Sequence, residues 1–147
     1  MDNMKILPEA LELISVGQEL NIEIKLLEYE KAQENIDNVL QLFCPFKVNG
    51  HIGIGHDSVE LPLERWEYSY MKCLPKEEGY IFFGQTSRLS KQTMTKIKDV
   101  RLLGEVLEKS YGMEYFLTNR DKDFLISVNW YAIEGIGSVK EYFTKLI

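Results

Sequence analysis

Two apolar segments near the C-terminus, separated by a short polar turn, set the first limit on the fold. Residues 115–117 and 124–133 flank the turn-forming sequence NRDKD at 119–123. Two such segments joined by five residues predict an antiparallel β-hairpin. A further run of aromatic and β-branched residues at 80–85 predicts a buried central strand. The chain must therefore build an antiparallel sheet and cover it.

Helical spacing of apolar residues occurs elsewhere along the chain. The segments with this spacing are 8–17, 31–43, 97–111 and 138–146. Ser138 and Glu141, three residues apart, predict a capping box at the start of the last helix. Together with the sheet, these segments predict a single α+β domain over residues 1–147, in which three to four helices pack a mainly antiparallel sheet.

The remaining segments are interpreted as turns, loops or short strands. Apolar and polar residues alternate at 20–26, which predicts a short strand. Asn-Gly at 49–50 predicts a hairpin or tight turn. The polar stretch 86–96 is interpreted as a loop, and Gly-Ile-Gly at 135–137 as the end of the last strand. Residues 62–75 fit a helix or a strand, with a slight preference for a helix.

The composition is that of an ordinary packed domain. The chain has 147 residues, of which 45% are hydrophobic and 27% are charged, and these fractions exclude disordered, collagenous and coiled-coil proteins. No stretch approaches the roughly 20 apolar residues that span a bilayer. The first residues carry acids where a signal peptide carries positive charge. We therefore expect a cytoplasmic protein without a membrane partner.

The negative charge is concentrated in the first 40 residues. This segment holds nine acids and three lysines, whereas the other 107 residues hold fourteen acids and fourteen bases. The whole net charge of −6 therefore lies in the first segment. The acids alternate with apolar residues, as on a solvated face, and we interpret them as a surface that attracts a basic protein partner. The candidate partner-binding acids are Glu12, Glu19, Glu23, Glu28, Glu30, Glu34 and Asp37.

Five bases between residues 88 and 101 form a local positive excess. Only one acid, Asp99, lies among them. A sequence pI of about 5.0 opposes general nucleic-acid affinity, so we expect no nucleic-acid partner. A solvated loop and a site for an anionic partner remain equal alternatives for these bases, which are Arg88, Lys91, Lys96, Lys98 and Arg101.

His51, His56 and Asp57 are the residues on which an enzyme hypothesis would rest. They offer ligands for a small metal-dependent enzyme, with a cysteine as a further ligand, or the centre of a ligand-binding regulatory domain. Two strand residues five positions apart point to opposite faces, which weakens the metal site. No nucleophile signature accompanies them. We assign no catalytic residue, no metal ligand and no cofactor.

The aromatic pair Trp130-Tyr131 is a candidate interface anchor. If both residues lie in one strand, their side chains point to opposite faces, and one of them is exposed. We place Trp130 in the core and Tyr131 at the surface, where a large ring contributes strongly to binding.

The C-terminal third, EYFLTNRDKDFLISVNWYAIEGIG followed by SVKEYFTKLI, resembles the end of small bacterial α+β toxin-immunity proteins of the SUKH type or similar. The resemblance consists of a strand, a turn, an aromatic strand and a closing helix. It implies a non-catalytic cytoplasmic protein that neutralises a basic toxin domain, such as a nuclease, by covering its active site. It assigns no functional residue, and the oligomeric state is not predicted.

Overall fold

A computed structural model describes residues 5–147, in which seven short strands form one antiparallel sheet. The spatial order is β1-β4-β3-β5-β6-β7-β2. Short strands β1 and β2 are therefore the two edges. The strands are β1 Ile24–Leu26, β2 Val59–Pro62, β3 Gly79–Phe82, β4 Met94–Ile97, β5 Tyr115–Asn119, β6 Phe124–Val128 and β7 Ala132–Gly137.

Five α-helices complete the described part of the chain, together with three short 3-10 helices. The α+β class and the mainly antiparallel sheet are confirmed. None of the helices within residues 5–147 has the length and hydropathy needed to cross a membrane. The α-helices are α1 Pro8–Leu20, α2 Tyr29–Phe43, α3 Leu63–Trp66, α4 Leu103–Lys109 and α5 Val139–Thr144, and the 3-10 helices are Tyr70–Cys73, Ser90–Gln92 and Val100–Leu102.

Alternation along the central strands divides the core into two layers. Ile81, Leu117 and Ile126 point to one side of the sheet, which α1, α3, α4 and α5 cover. Their neighbours Phe82 and Phe116 point to the other side, which α2 and residues 44–56 cover. We call these sides the α1 face and the α2 face. The sheet is buried on both sides, because helices pack against each of them.

The C-terminal strands differ from the sequence prediction. The apolar run 124–133 is not one strand, because a turn at 129–131 separates β6 from β7. The predicted end of the last strand at 135–137 is confirmed, since β7 ends at Gly137, although Gly135 and Ile136 still lie within the strand. A β-carbon on Gly135 would lie 2.6 Å from the ring of Phe143. Glycine is therefore needed there so that α5 can pack closely on the strand.

The segment around residue 95 also differs from the prediction. Part of the expected loop 86–96 forms β4, and the expected helix from residue 97 begins only at Leu103. Thr93 is buried just before β4, and its hydroxyl donates to the Leu89 carbonyl oxygen. This hydrogen bond satisfies the polar group in the interior.

Other local predictions have mixed outcomes. The slight helical preference at 62–75 is confirmed, because this segment contains α3 and the first 3-10 helix. The Asn-Gly turn is confirmed by the bridge between Lys47 and Gly53, with Gly50 at a φ of 68°. The capping box is wrong, because the Ser138 side chain makes no capping hydrogen bond. Ser138 instead donates its backbone N–H to the Asp123 carbonyl oxygen.

The α1 face buries a pair of tyrosine hydroxyls. The hydroxyl oxygens of Tyr70 and Tyr115 are 2.8 Å apart, and both side chains are almost fully enclosed. Burial raises the pKa of both hydroxyls well above that of a free tyrosine, because the charged form would lose its hydration. The folded protein therefore holds both protons at alkaline pH.

Stability should fall above about pH 10, where the unfolded chain releases these protons and the folded chain keeps them. Each tyrosine should contribute a loss of about 1.4 kcal/mol per pH unit in the free energy of unfolding. The double variant Tyr70→Phe, Tyr115→Phe should show a shallower loss in urea titrations between pH 9 and 11. Equal losses in the variant and the parent protein would contradict the assignment.

Candidate functional site

The candidate acids are mostly free at the surface. Six of the seven are exposed and form no ion pair with any residue of 5–147. Glu12 is the exception, because it is half-buried and its carboxylate accepts the backbone N–H of Tyr111 at 3.1 Å. Asp2, which also contributes to the negative segment, lies outside the described residues. Exposure without pairing leaves the negative charge available to a partner.

The sheet separates these acids into two groups. Glu12 and Glu19 belong to α1, whereas Glu30, Glu34 and Asp37 belong to α2 on the opposite face. Glu23 and Glu28 flank the edge strand between the two helices. A single flat partner surface therefore does not contact all seven acids at once.

The α2 acids form a continuous line, which we call the acidic stripe and define as Glu30, Glu34 and Asp37. Their spacing of four and three residues puts them on one side of the helix, opposite the buried Ala32 and Ile36. Like charges at this spacing cost about 0.2–0.5 kcal/mol per pair in a helix. The stripe thus slightly destabilises α2 without a compensating ion pair.

Exposed apolar residues follow the acidic stripe along the chain. Leu42, in the last turn of α2, is 61% exposed, and Phe46, just beyond the helix, is 82% exposed. Both lie in the segment that covers the α2 face. Apolar side chains next to charged ones are the usual composition of a protein interface.

Trp130 and Tyr131 lie in the turn between β6 and β7 and not within a strand. The Asn129 side-chain oxygen accepts the backbone N–H groups of Tyr131 at 2.7 Å and of Ala132 at 2.8 Å, which fixes the turn. Tyr131 is 72% exposed, as expected. The core placement of Trp130 is wrong, because this residue is 50% exposed.

The histidine cluster does not form one site. No three His, Cys, Asp or Glu side chains within residues 5–147 gather to hold a metal ion. Lys140 lowers the pKa of the Asp57 carboxyl, chiefly through a hydrogen bond. The three side chains have different partners. His51 Nδ1 lies 2.8 Å from Glu114 Oε2, and His56 Nε2 lies 2.8 Å from the Cys44 carbonyl oxygen. The Asp57 carboxylate pairs with the Lys140 ammonium at 2.6 Å.

The five bases of 88–101 also do not converge. Arg101 pairs with Asp99 at 2.9 Å, and its guanidinium lowers the pKa of that carboxyl. Lys96 lies 3.6 Å from Glu78. Arg88 and Lys91 are exposed near the Ser90–Gln92 helix. The positive excess is therefore spread along β4 and its flanks.

Another group of bases, which shares only Lys96 with the five of 88–101, surrounds an open cleft of about 490 Å³ beside the first turn of α2. We call this the basic cleft. The sequence did not reveal it, because its four cations come from three separate segments of the chain. Only the register of the sheet, which places Tyr80 between Lys96 and Thr118, brings them together. Its charged residues are Lys31, Lys96, Arg120, Lys122 and Glu78.

Comparison with known proteins gives no match: no family model, no curated protein and no solved structure aligns significantly with the chain. The C-terminal resemblance to toxin-immunity proteins stays an expectation from sequence.

Proposed function

We propose that the protein is a non-catalytic, cytoplasmic protein-binding module of the immunity or antitoxin kind, and that α2 contacts a basic partner domain. One observation carries the proposal, namely the exposed and unpaired acidic stripe. The C-terminal resemblance supports the class of partner. The partner would present lysines or arginines, as the active-site surface of a toxic nuclease does.

The electrostatic contribution follows from the position of the stripe. Three carboxylates within about two helical turns create a local negative potential that accelerates association with a positive surface. Salt screens charges over a Debye length of about 8–10 Å at physiological ionic strength, so association should slow as salt is added. Leu42 and Phe46 would supply the apolar part of the contact.

The proposal places the binding surface on the α2 side of the sheet. Tyr131 packs edge-on against His51, with ring centroids 5.2 Å apart, and His51 belongs to the segment that covers the α2 face. Tyr131 can therefore act as a further aromatic anchor. The α1 acids Glu12 and Glu19 lie outside this surface.

Charge reversal of the stripe tests the proposal. The triple variant Glu30→Lys, Glu34→Lys, Asp37→Lys should weaken partner binding by about a hundredfold or more, because close charge pairs across interfaces couple strongly. The immobilised protein would first capture its partner from source-cell extract at low salt. Calorimetry with the purified partner would then measure the dissociation constant.

The matched control reverses three exposed acids on α3 and α4, which cover the opposite α1 face: Glu64→Lys, Glu105→Lys, Glu108→Lys. It changes the net charge by the same amount and should bind almost as the parent protein does. Undiminished binding by the stripe variant would show that α2 is not the contact surface. A substrate turnover that survives purification would refute the non-catalytic assignment.

A further inference from the structure

We propose that the basic cleft binds a small phosphorylated molecule of roughly nucleotide size. This inference does not depend on the proposed partner. It rests on the convergence of four cations around one cavity in a chain whose net charge is −6.

The floor of the cleft is built by three adjacent strands. Lys96 of β4, Tyr80 of β3 and Thr118 of β5 are direct cross-strand neighbours, so their side chains form one row on the α2 face. Lys31 of α2 stands at one side of this row. Arg120 and Lys122, in the turn between β5 and β6, stand at another.

The charge balance of the cleft is strongly positive. Glu78 is the one carboxylate in its lining, and it is already engaged by Lys96 and by the Tyr80 hydroxyl at 3.0 Å. Lys31, Arg120 and Lys122 have no ion-pair partner within residues 5–147. Like-charged groups around a concave surface focus a positive potential, which an anion would neutralise.

The turn that carries Arg120 and Lys122 is already ordered for binding. The Asn119 side-chain oxygen accepts the Asp123 backbone N–H at 2.9 Å, and the Asn119 amide donates to the Glu77 and Asp123 carboxylates. Lys122 has a φ of 57°, in the left-handed region that a non-glycine residue seldom occupies. A turn fixed in this way loses less conformational entropy when it binds a ligand.

Size and chemistry together indicate the ligand class. A volume of about 490 Å³ lies within the range of small-molecule sites and is too small for a folded partner. Arginine and lysine are the usual phosphate ligands, since arginine binds phosphate oxygens in a bidentate manner. Burial and the Glu78 carboxylate raise the pKa of Tyr80 to about 12, so its hydroxyl stays protonated beside the ligand. The half-buried Tyr80 ring also offers an apolar surface to the organic part of the ligand.

Calorimetry at constant ionic strength, with pyrophosphate, ADP and ribose 5-phosphate as probes, tests the inference. At least one probe should bind saturably with a sub-millimolar dissociation constant. The variant Arg120→Gln, Lys122→Gln should weaken that binding by about tenfold or more, because charge-assisted contacts to phosphate are strong. The control Lys72→Gln, Lys109→Gln removes two exposed lysines from segments that pack on the α1 face and should leave the affinity unchanged.

Three outcomes would overturn the inference. The first is that none of the probes binds below millimolar concentration. The second is that both double variants weaken binding equally, which indicates only general attraction between charges. The third is that a short polyglutamate peptide binds the cleft more tightly than every phosphorylated probe, which identifies an acidic peptide as the occupant. Circular dichroism and thermal unfolding of both variants establish that each is folded.

Discussion

Replacing Gly104 with alanine should lower the free energy of unfolding by at least about 3 kcal/mol. A β-carbon at this position in α4 would lie 2.0 Å from the Tyr68 carbonyl oxygen and 2.9 Å from the Met71 sulfur. Met71 can rotate, but a backbone oxygen moves only if the segment around residue 68 moves with it. The helical preference of alanine returns only about 1 kcal/mol. Urea denaturation of the variant would measure the loss.

Gly84→Ala is the matched control for this substitution. Its added β-carbon would meet its nearest neighbours at 3.6–3.9 Å, an ordinary contact distance. The control should therefore change stability by no more than about 0.5 kcal/mol. If Gly104→Ala were equally harmless, α4 would not pack against the Tyr68 backbone as closely as described.

Replacing Phe116 with alanine should cost about 3–5 kcal/mol, the range for removing a buried aromatic ring. Phe116 is fully buried on the α2 face and stacks on Phe82, with ring centroids 4.9 Å apart. Removal of the Phe116 ring would leave a cavity beneath α2 that the adjacent strands β3 and β5 cannot close. Thermal unfolding and urea denaturation would both report the loss.

Phe46→Ala removes the same side chain from an exposed position and should leave stability within about 0.5 kcal/mol of the parent protein. The pair of variants also separates folding from recognition. Phe46→Ala should weaken partner binding if α2 and the exposed Leu42 and Phe46 form the interface. Equal stability losses at residues 116 and 46 would be inconsistent with the two-layered core.

The sequence was sufficient to predict the fold class. The main helices show a regular helical spacing of apolar residues, and the segments 80–85 and 115–128 contain apolar runs typical of buried strands. The sequence was insufficient for β4, since the buried Thr95 within the strand and the buried Thr93 just before it are polar residues typical of a loop. It was also insufficient for the turn before β7. Trp130 and Tyr131 are not turn-forming residues, and only Asn129 signals the change of direction.

The candidate sites show a similar division. The placement of acids between apolar residues predicts a solvated face, and Glu30, Glu34 and Asp37 are exposed. This placement does not reveal that α1 and α2 lie on opposite faces, because this depends on the edge position of β1, where the chain passes from one side of the sheet to the other. The basic cleft depends in the same way on strand register.

The two edge strands limit how this protein can associate with copies of itself. β1 has three residues with the exposed Lys25 at its centre, and β2 has four residues, with the exposed Glu60 and a final proline that lacks an N–H donor. Edge strands that are short, charged or contain proline disfavour strand addition by a second chain. The two ends of the sheet therefore disfavour the edge-to-edge stacking from which fibrils grow.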